Sequence, residues 1–196
     1  MAVDLARDDT YDLGVPDDGP KAKPDVVYHF SEDPGIARFA PHVPATNPSH
    51  RPAVWAIDEA HAPLYWFPRD CPRVAIWPND SSQRKAFNDR FVTSASRLHA
   101  IEWRWLDAMR DAVVHRYVFD AAAFVPWEPA DGQWVSHEVV SPVSVDSVGD
   151  LLVAHRSAEI ELRVVASLWP LRDAAANGEF DFSIVRMHNA QPRVQS

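Results

Sequence analysis

The sequence predicts a protein of the α+β class. Several short runs rich in β-branched and aromatic residues are typical of strands. Helix-forming stretches separate these runs unevenly, whereas a parallel βαβ fold alternates strands and helices regularly. The chain also has no internal repeat at a fixed period.

The chain divides into an acidic N-terminal tail and one globular domain. Its 196 residues, of which 46% are hydrophobic and 24% charged, suffice for a single domain with a sizeable core. Residues 1–24 contain six aspartates against three basic residues and few large apolar groups. Burial of so few apolar groups cannot offset the entropy of ordering. We therefore predict a disordered acidic tail over residues 1–24 and a globular α+β domain over residues 25–196.

The first half of the domain contains three predicted strands, over residues 25–30, 53–57 and 73–77. A Pro-rich loop over residues 41–52 separates the first two. After the second strand, Asp58 is a candidate N-cap for a helix over residues 59–66. Pro63 implies either that the helix starts there, with Pro63 in its first turn, or that the helix is broken at this residue.

The helical pattern is clearest between residues 89 and 115. Apolar residues recur there at spacings of three or four, which places them on one helical face. They are Phe91, Ala95, Leu98, Ile101, Trp105, Met109 and Val113. The polar segment at residues 93–96 allows a later start, near Leu98. We therefore predict one long helix in this region.

The second half of the domain is predicted to contain further strands and two short helices. Residues 117–119 and 134–140 are strand candidates. Residues 145–155 are predicted to hold a short helix capped by Asp146 or Ser147. The end of the chain is predicted as a strand over 159–165, a helix over 168–176 that stops at Asn177-Gly178, and a strand over 180–187.

Composition and charge exclude several classes of function. The chain has no apolar run long enough to span a membrane, and its N-terminus lacks the features of a secretory signal. The single cysteine, Cys71, excludes an internal disulfide and a Cys-rich metal site, so we expect a cytoplasmic location and a structural role for this thiol. A net charge of −9 argues against a general nucleic-acid-binding surface, although it allows a small basic pocket.

Two short motifs contain histidine and acidic residues of the kind found in functional sites, but a structural role explains each of them better. Asp58-Glu-Ala-His61 matches a helicase tetrapeptide, yet no glycine-rich phosphate loop accompanies it. His99 and Glu102 would lie one turn apart on the predicted helix, but a second ligand pair and the H-E-x-x-H motif are lacking. We therefore expect no metal, and a metal-dependent hydrolase using His29, His99 and Glu102 is kept only as a third alternative.

Two blocks of the sequence resemble a family of uncharacterised bacterial proteins. The first begins at Tyr28-His-Phe-Ser and continues to Pro68-Arg-Asp-Cys-Pro-Arg-Val. The second begins at Trp134-Val-Ser and ends at Phe182-Ser-Ile-Val-Arg-Met-His-Asn-Ala. Together they cover nearly all of residues 26–190. The resemblance implies no activity, because the family has none established.

The order of predicted elements is similar, more distantly, to the ADP-ribosyltransferase superfamily, which includes the RNA 2′-phosphotransferases. A strand with a histidine precedes a polar loop, a strand with an aromatic residue, a helix, and a late strand entered by a polar or acidic residue. The resemblance implies an ADP-ribosyltransferase-like fold with short, mostly antiparallel strands in a split sheet and a few flanking helices. It also implies a nucleotide-dependent transferase that uses NAD.

The resemblance assigns roles to particular residues. His29 on the first strand would anchor the NAD ribose. Glu138, or Ser136 and His137 beside it, would match the position that begins the late strand. Glu138 would there stabilise the positive charge that develops on the sugar as its bond to nicotinamide breaks. Trp55 or Tyr65 would stack on the nicotinamide, and Arg69 and Arg73 would contact the pyrophosphate. The predicted catalytic residues are thus His29 and Glu138. The predicted cofactor-binding residues are His29, Ser31, Trp55, Tyr65 and Arg69.

Each assignment has a structural alternative. His29 could be a strand histidine hydrogen-bonded to the backbone, Trp55 a core residue, Glu138 a solvent-facing strand residue, and Arg69 and Arg73 surface ion-pair partners. The leading hypothesis is an NAD-using transferase. Its alternative is a non-catalytic module on the same fold that binds a small ligand or a protein. The transferase requires His29, Trp55 and Glu138 to converge on one cleft, whereas the binding module does not.

Overall fold

A computed structural model describes residues 23–43, 49, 51–128 and 130–193. The predicted acidic tail therefore lies outside the described residues, except for its last two. Within the described part of the chain, strands and helices are mixed as the α+β class requires, so the predicted class is confirmed.

The described elements, in chain order, are ten strands and four α-helices. The strands are β1 (Val26–Ser31), β2 (Val54–Ile57), β3 (Arg73–Trp77), β4 (Arg97–Glu102), β5 (His115–Asp120), β6 (Val125–Pro126), β7 (Gln133–Ser136), β8 (Ser144–Ser147), β9 (Ile160–Val165) and β10 (Asp181–Val185). The α-helices are α1 (Arg84–Phe91), α2 (Leu106–Asp111), α3 (Leu151–Ser157) and α4 (Trp169–Ala176). Short 3₁₀ turns lie at Ala62–Tyr65, Ser81–Gln83, Trp103–Trp105, Ala121–Ala123 and Met187–Asn189.

The strands form two sheets. Sheet A has six strands in the order β6-β7-β2-β1-β5-β8, and every neighbouring pair is antiparallel. Sheet B has four strands in the order β10-β3-β4-β9, and its β4–β9 pair is parallel. The expectation of short, mostly antiparallel strands is therefore confirmed.

The two faces of sheet A bury different sets of side chains. Val27 of β1 packs with Tyr117 and Phe119 of β5 on the face that Phe39 covers, and we name this the outer face. Side chains alternate between faces along a strand. Phe30 therefore lies on the opposite, inner face, where it packs against a cluster that includes residues of β4 and α3.

The segment over residues 62–71 lies between the inner face of sheet A and sheet B. Its Phe67 and Cys71 are buried in the same cluster as Ile101 of β4. Arg73 at the start of β3 holds this segment, because its Nε donates to the Leu64 carbonyl at 2.9 Å and its Nη1 to the Cys71 carbonyl at 3.2 Å. Burial raises the pKa of the Cys71 thiol to about 12, which agrees with a structural role.

The single long helix predicted between residues 89 and 115 is wrong. That region holds the end of α1, then β4, a 3₁₀ turn and α2. Leu98 and Ala100 of β4 pack against α1, whereas Ile101 packs on the other side of the strand. A strand that is buried on both faces has a nearly continuous apolar sequence, and such a run can imitate a helical stripe.

Three smaller expectations also need correction. Residues 145–155 hold the end of β8 and the start of α3, and α3 is capped by Asp150 rather than by Asp146 or Ser147. The helix expected over residues 59–66 is a 3₁₀ turn at Ala62–Tyr65. The strand expected over 134–140 ends at Ser136.

The predicted strands that became β1, β2, β3, β9 and β10, and the predicted helix that became α4, are confirmed to within a few residues.

We expect Val92→Gly to raise the free energy of unfolding by about 1 kcal/mol, because glycine adopts a left-handed backbone without steric cost. Val92 ends α1 at φ 51° and ψ 57°, a conformation that a β-branched residue rarely adopts. Its side chain is 86% exposed, so the substitution removes little packing. Urea denaturation measures the difference.

The matched control is Val153→Gly, which alters a partly exposed valine inside α3. Glycine in a regular helical position lowers stability, and we expect a loss of roughly 0.5 kcal/mol or more. Destabilisation of the same size in both variants would contradict the argument from the backbone of Val92.

Candidate functional site

His29 lies on the outer face of sheet A, opposite Tyr117 of β5. Its Nδ1 is 2.9 Å from the Trp55 carbonyl oxygen, which can only accept, so Nδ1 carries the proton. Burial lowers the pKa of His29, the hydrogen bond to Trp55 opposes this, and the charges of His42 and Arg69 lower it further. The ring is therefore neutral at pH 7. Its Nε2 is an acceptor that no described residue occupies.

The loops beside His29 are tied together by hydrogen bonds. The Arg69 backbone N–H donates to Glu32 Oε1 at 3.0 Å, and the Asp33 N–H donates to Ser31 Oγ at 3.1 Å. The Tyr117 hydroxyl donates to the Asp33 carbonyl. We name His29, Ser31, Glu32, His42 and Arg69 the His29 site. The structure thus brings two of the predicted cofactor-binding residues, Ser31 and Arg69, to the end of β1 that carries His29.

Trp55 does not share the face of His29. Tyr28 pairs with Ile57 across β1 and β2, so alternation places Trp55 on the inner face and His29 on the outer face. The Trp55 ring packs edge-on against Trp127, with ring centres 4.9 Å apart. Only the Trp55 backbone carbonyl reaches His29.

Tyr65 also lies on the inner side of sheet A. Its ring stacks on Phe30 with centres 6.1 Å apart, and its hydroxyl accepts a hydrogen bond from Gln133 Nε2 at 3.1 Å. It therefore offers no stacking surface at the His29 site. The structural alternative for these aromatic residues, packing rather than cofactor stacking, fits their contacts.

Glu138 lies two residues beyond the end of β7 and is exposed. Its backbone N–H donates to Ser136 Oγ at 3.3 Å, and its carboxylate makes no ion pair with a described residue. The next residues return towards His29, because Val140 pairs with Phe39 and the Phe39 ring contacts the His29 ring at 5.0 Å. Glu138 thus stands near the border of the His29 site, without contact to His29.

The pair His99 and Glu102 does not form a metal site. Both lie on β4, where residues three apart point to opposite faces. The Glu102 carboxylate is buried and accepts from the backbone N–H groups of Leu168, at 3.2 Å, and Gln191, at 2.9 Å. Across the described residues, no group of three potential ligands could hold a metal ion.

His99 instead forms a buried pair with His155. His155 Nδ1 donates to the Leu151 carbonyl at 2.7 Å, so its Nε2 accepts, at 3.0 Å, from His99 Nδ1. Burial lowers the pKa of both rings, and for His99 the nearby charges of His155, Arg97 and Arg73 lower it further. Both imidazoles are therefore neutral in the folded protein near pH 7.

Two surface grooves lie along α1 and α4, away from these residues. Their volumes are about 330 and 560 Å³, and both are lined by Arg90, Phe91 and Ala174. Neither contains a predicted site residue. Arg163 in the smaller groove already pairs with Glu161, at 2.6 Å, and donates to the Phe91 carbonyl. Its guanidinium is therefore already paired within the protein.

Sequence reasoning missed one polar cluster, which includes the tetrapeptide rejected as a helicase motif. Asp58 Oδ1 lies 2.7 Å from His61 Nδ1, and the guanidinium of Arg97 lies over the ring of Trp77. We name these four residues the Asp58 cluster. The Asp-x-x-His spacing at a strand end was the available signal, since an aspartate there can accept from the residue three positions on.

Comparison with known proteins identifies the family of this chain but no activity. The chain belongs to a family of unknown function (DUF6886), which matches it over residues 28–190. No curated protein and no solved structure matches the chain. Membership of an uncharacterised family is therefore confirmed, whereas the ADP-ribosyltransferase-like fold and the bacterial origin stay predictions. Within the described part of the chain, no helix is both long and apolar enough to cross a membrane.

We expect the His99–His155 pair to make the protein less stable as the pH falls. The unfolded histidines bind protons near their ordinary pKa of about 6.5, whereas the folded ones resist protonation, so acid favours the unfolded state. The stabilisation is complete above pH 6.5 and declines below it, by at most roughly 1.4 kcal/mol per pH unit for each proton. Urea denaturation between pH 7 and pH 5 measures this slope.

The His99→Gln variant should show a shallower slope of unfolding free energy against pH, whatever its stability at pH 7. His188→Gln, which removes an exposed histidine, is the matched control and should keep the wild-type slope. A wild-type slope in His99→Gln would mean that this pair does not govern the acid sensitivity.

Proposed function

We propose that the chain binds a phosphate-bearing nucleotide at the His29 site, with NAD as the first ligand to test. The observation that carries this proposal is the open acceptor Nε2 of neutral His29 beside the guanidinium of Arg69. The whole chain has a net charge of −9, so an exposed guanidinium that forms no ion pair with a described residue needs a reason. An anionic ligand supplies one.

The chemistry of the site suits a nucleotide. A ribose hydroxyl donates to His29 Nε2, as it would to any neutral imidazole nitrogen. The Arg69 side chain is exposed and forms no ion pair with a described residue, so its planar fork is available to phosphate oxygens. The Phe39 ring supports the His29 ring from one side and fixes its orientation.

Binding without transfer is the function that the geometry favours. Trp55 and Tyr65 lie on the inner side, and the charge of Arg69 acts on His29. ADP-ribosyl transfer is the second candidate, because the pairing of Phe39 with Val140 brings the segment of Glu138 towards the His29 site. In that case Glu138 would be the carboxylate that stabilises the developing charge on the sugar.

We expect Arg69→Ala to weaken NAD binding by roughly tenfold or more, since a hydrogen bond to a charged group contributes about 1.5–3 kcal/mol. His29→Ala should weaken it by roughly two- to tenfold, since a hydrogen bond between neutral groups contributes about 0.5–1.5 kcal/mol. Calorimetric titration of NAD measures this. Arg84→Ala removes an exposed arginine from α1 and is the charge-matched control, which should bind as the wild type does. Absence of saturable binding of NAD and of AMP at millimolar concentrations would refute the proposal.

Nicotinamide release during the same incubation separates the two candidates. Release by the wild type that is lost in Glu138→Gln, with NAD affinity unchanged, would identify a transferase. Tight binding of NAD with no release would identify a binding module. AMP in a parallel titration tests whether the phosphate and ribose suffice for recognition.

A further inference from the structure

The turn after β2 holds an aspartate–histidine pair that the His29 site does not use. Asp58 Oδ1 accepts from the His61 backbone N–H at 2.9 Å and lies 2.7 Å from His61 Nδ1. A carboxylate at Nδ1 keeps the proton on that nitrogen and fixes the plane of the ring. No described residue hydrogen-bonds Nε2, so this nitrogen is available to a ligand.

Gly132 fixes the position of the His61 ring from the other side. It has a φ of +74°, and a Cβ built on it would lie 2.1 Å from His61 Nδ1. Its carbonyl accepts from the Asp58 N–H at 2.9 Å. The turn that carries Asp58 therefore approaches residue 132 so closely that only glycine fits there.

Arg97 has a half-buried guanidinium whose donors are unused. Its Cζ lies 4.8 Å from the centre of the Trp77 ring, and none of its N–H groups hydrogen-bonds a described residue. Burial lowers its pKa to about 10, against the opposing charge of Asp58, so the group stays charged at pH 7. Buried polar groups are normally hydrogen-bonded, and a buried guanidinium without partners costs free energy.

Trp77 brings Arg97 and His61 together. The His61 ring centre lies 6.0 Å from that of Trp77, and Arg97 lies over the same side chain. The Asp58 carboxylate contacts His61, and its negative charge also acts on Arg97. The guanidinium of Arg97, a permanent cation, and the imidazole of His61 therefore both lie beside the Trp77 ring, and each has a nitrogen without a hydrogen-bond partner among the described residues.

We propose that Arg97 and His61 form a binding site for the phosphate group of a small ligand. Arg97 supplies two parallel N–H donors that match two phosphate oxygens. Asp58 accepts from His61 Nδ1 and orients the ring as a positioning residue, so Nε2 can accept from the hydroxyl of a hydrogen phosphate. This site is distinct from the His29 site, because Asp58 and His61 follow β2 on the side of Gly132 and Trp77, away from the outer face.

Calorimetric titration of inorganic phosphate and of phenyl phosphate into the full chain tests this proposal. We expect Arg97→Ala and His61→Ala each to weaken binding by roughly tenfold or more. Arg84→Ala should bind both probes as the wild type does, because this exposed arginine lies on α1. Loss of phosphate binding in Arg69→Ala but not in Arg97→Ala would place the phosphate at the nucleotide site instead and overturn the proposal. Phenyl phosphate binding more tightly than inorganic phosphate would identify an ester as the ligand, and equal affinity would identify the free ion.

Two further variants keep the test sharp if Arg97→Ala unfolds. Arg97→Lys keeps the positive charge but lacks the two parallel N–H donors of a guanidinium, so this variant should still bind phosphate more weakly. Gly132→Ala removes neither Arg97 nor His61 but displaces the His61 ring, so it too should bind phosphate more weakly. Wild-type affinity in Arg97→Lys and Gly132→Ala, no saturable phosphate binding by the wild type, or equal affinity for acetate would each overturn the proposal.

Discussion

The relation between the two sheets depends on the buried guanidinium of Arg73. From the first residue of β3 it donates to the carbonyls of Leu64 and Cys71, and it lies 5.0 Å from the centre of the Phe67 ring. Burial lowers its pKa to about 10, so it remains a cation at pH 7. Buried carbonyls without donors are costly, and a buried charge is costlier still. Separating the Arg73 guanidinium from the two carbonyls would therefore cost free energy on both sides. This cost holds the segment over residues 62–71 against sheet B.

Both candidate sites follow from the placement of this segment. Arg69, near its end, comes to the His29 site because its backbone N–H reaches Glu32 in the loop after β1. His61 immediately precedes the segment and meets Asp58 at the end of β2. A substitution that loosens Arg73 should thus disturb both sites at once, although it touches neither ligand-binding group.

The sequence predicts elements well where the pattern is local, and poorly where tertiary pairing decides. The strand at Arg73–Trp77 and the helix at Trp169–Ala176 each carry their own signal in a few residues. The apolar residues near β4 are shared between two cores, and a single sequence does not show that division. The same limit applies to the site. The pairing of Tyr28 with Ile57 separates Trp55 from His29, and strand register is a property of the folded sheet.

The two sites are separated by sheet A but share a backbone link. His29 donates from the outer face to the Trp55 carbonyl, while the Trp55 side chain packs on Trp127 at the inner side. The Trp127 N–H in turn donates to the carbonyl of Gln133, which follows Gly132 directly. A shift of His29 that strengthened or broke its bond to Trp55 would therefore act on the strand pair that positions Gly132 against His61. Through these two hydrogen bonds and the ring contact between Trp55 and Trp127, occupancy of one site has a physical route to the geometry of the other.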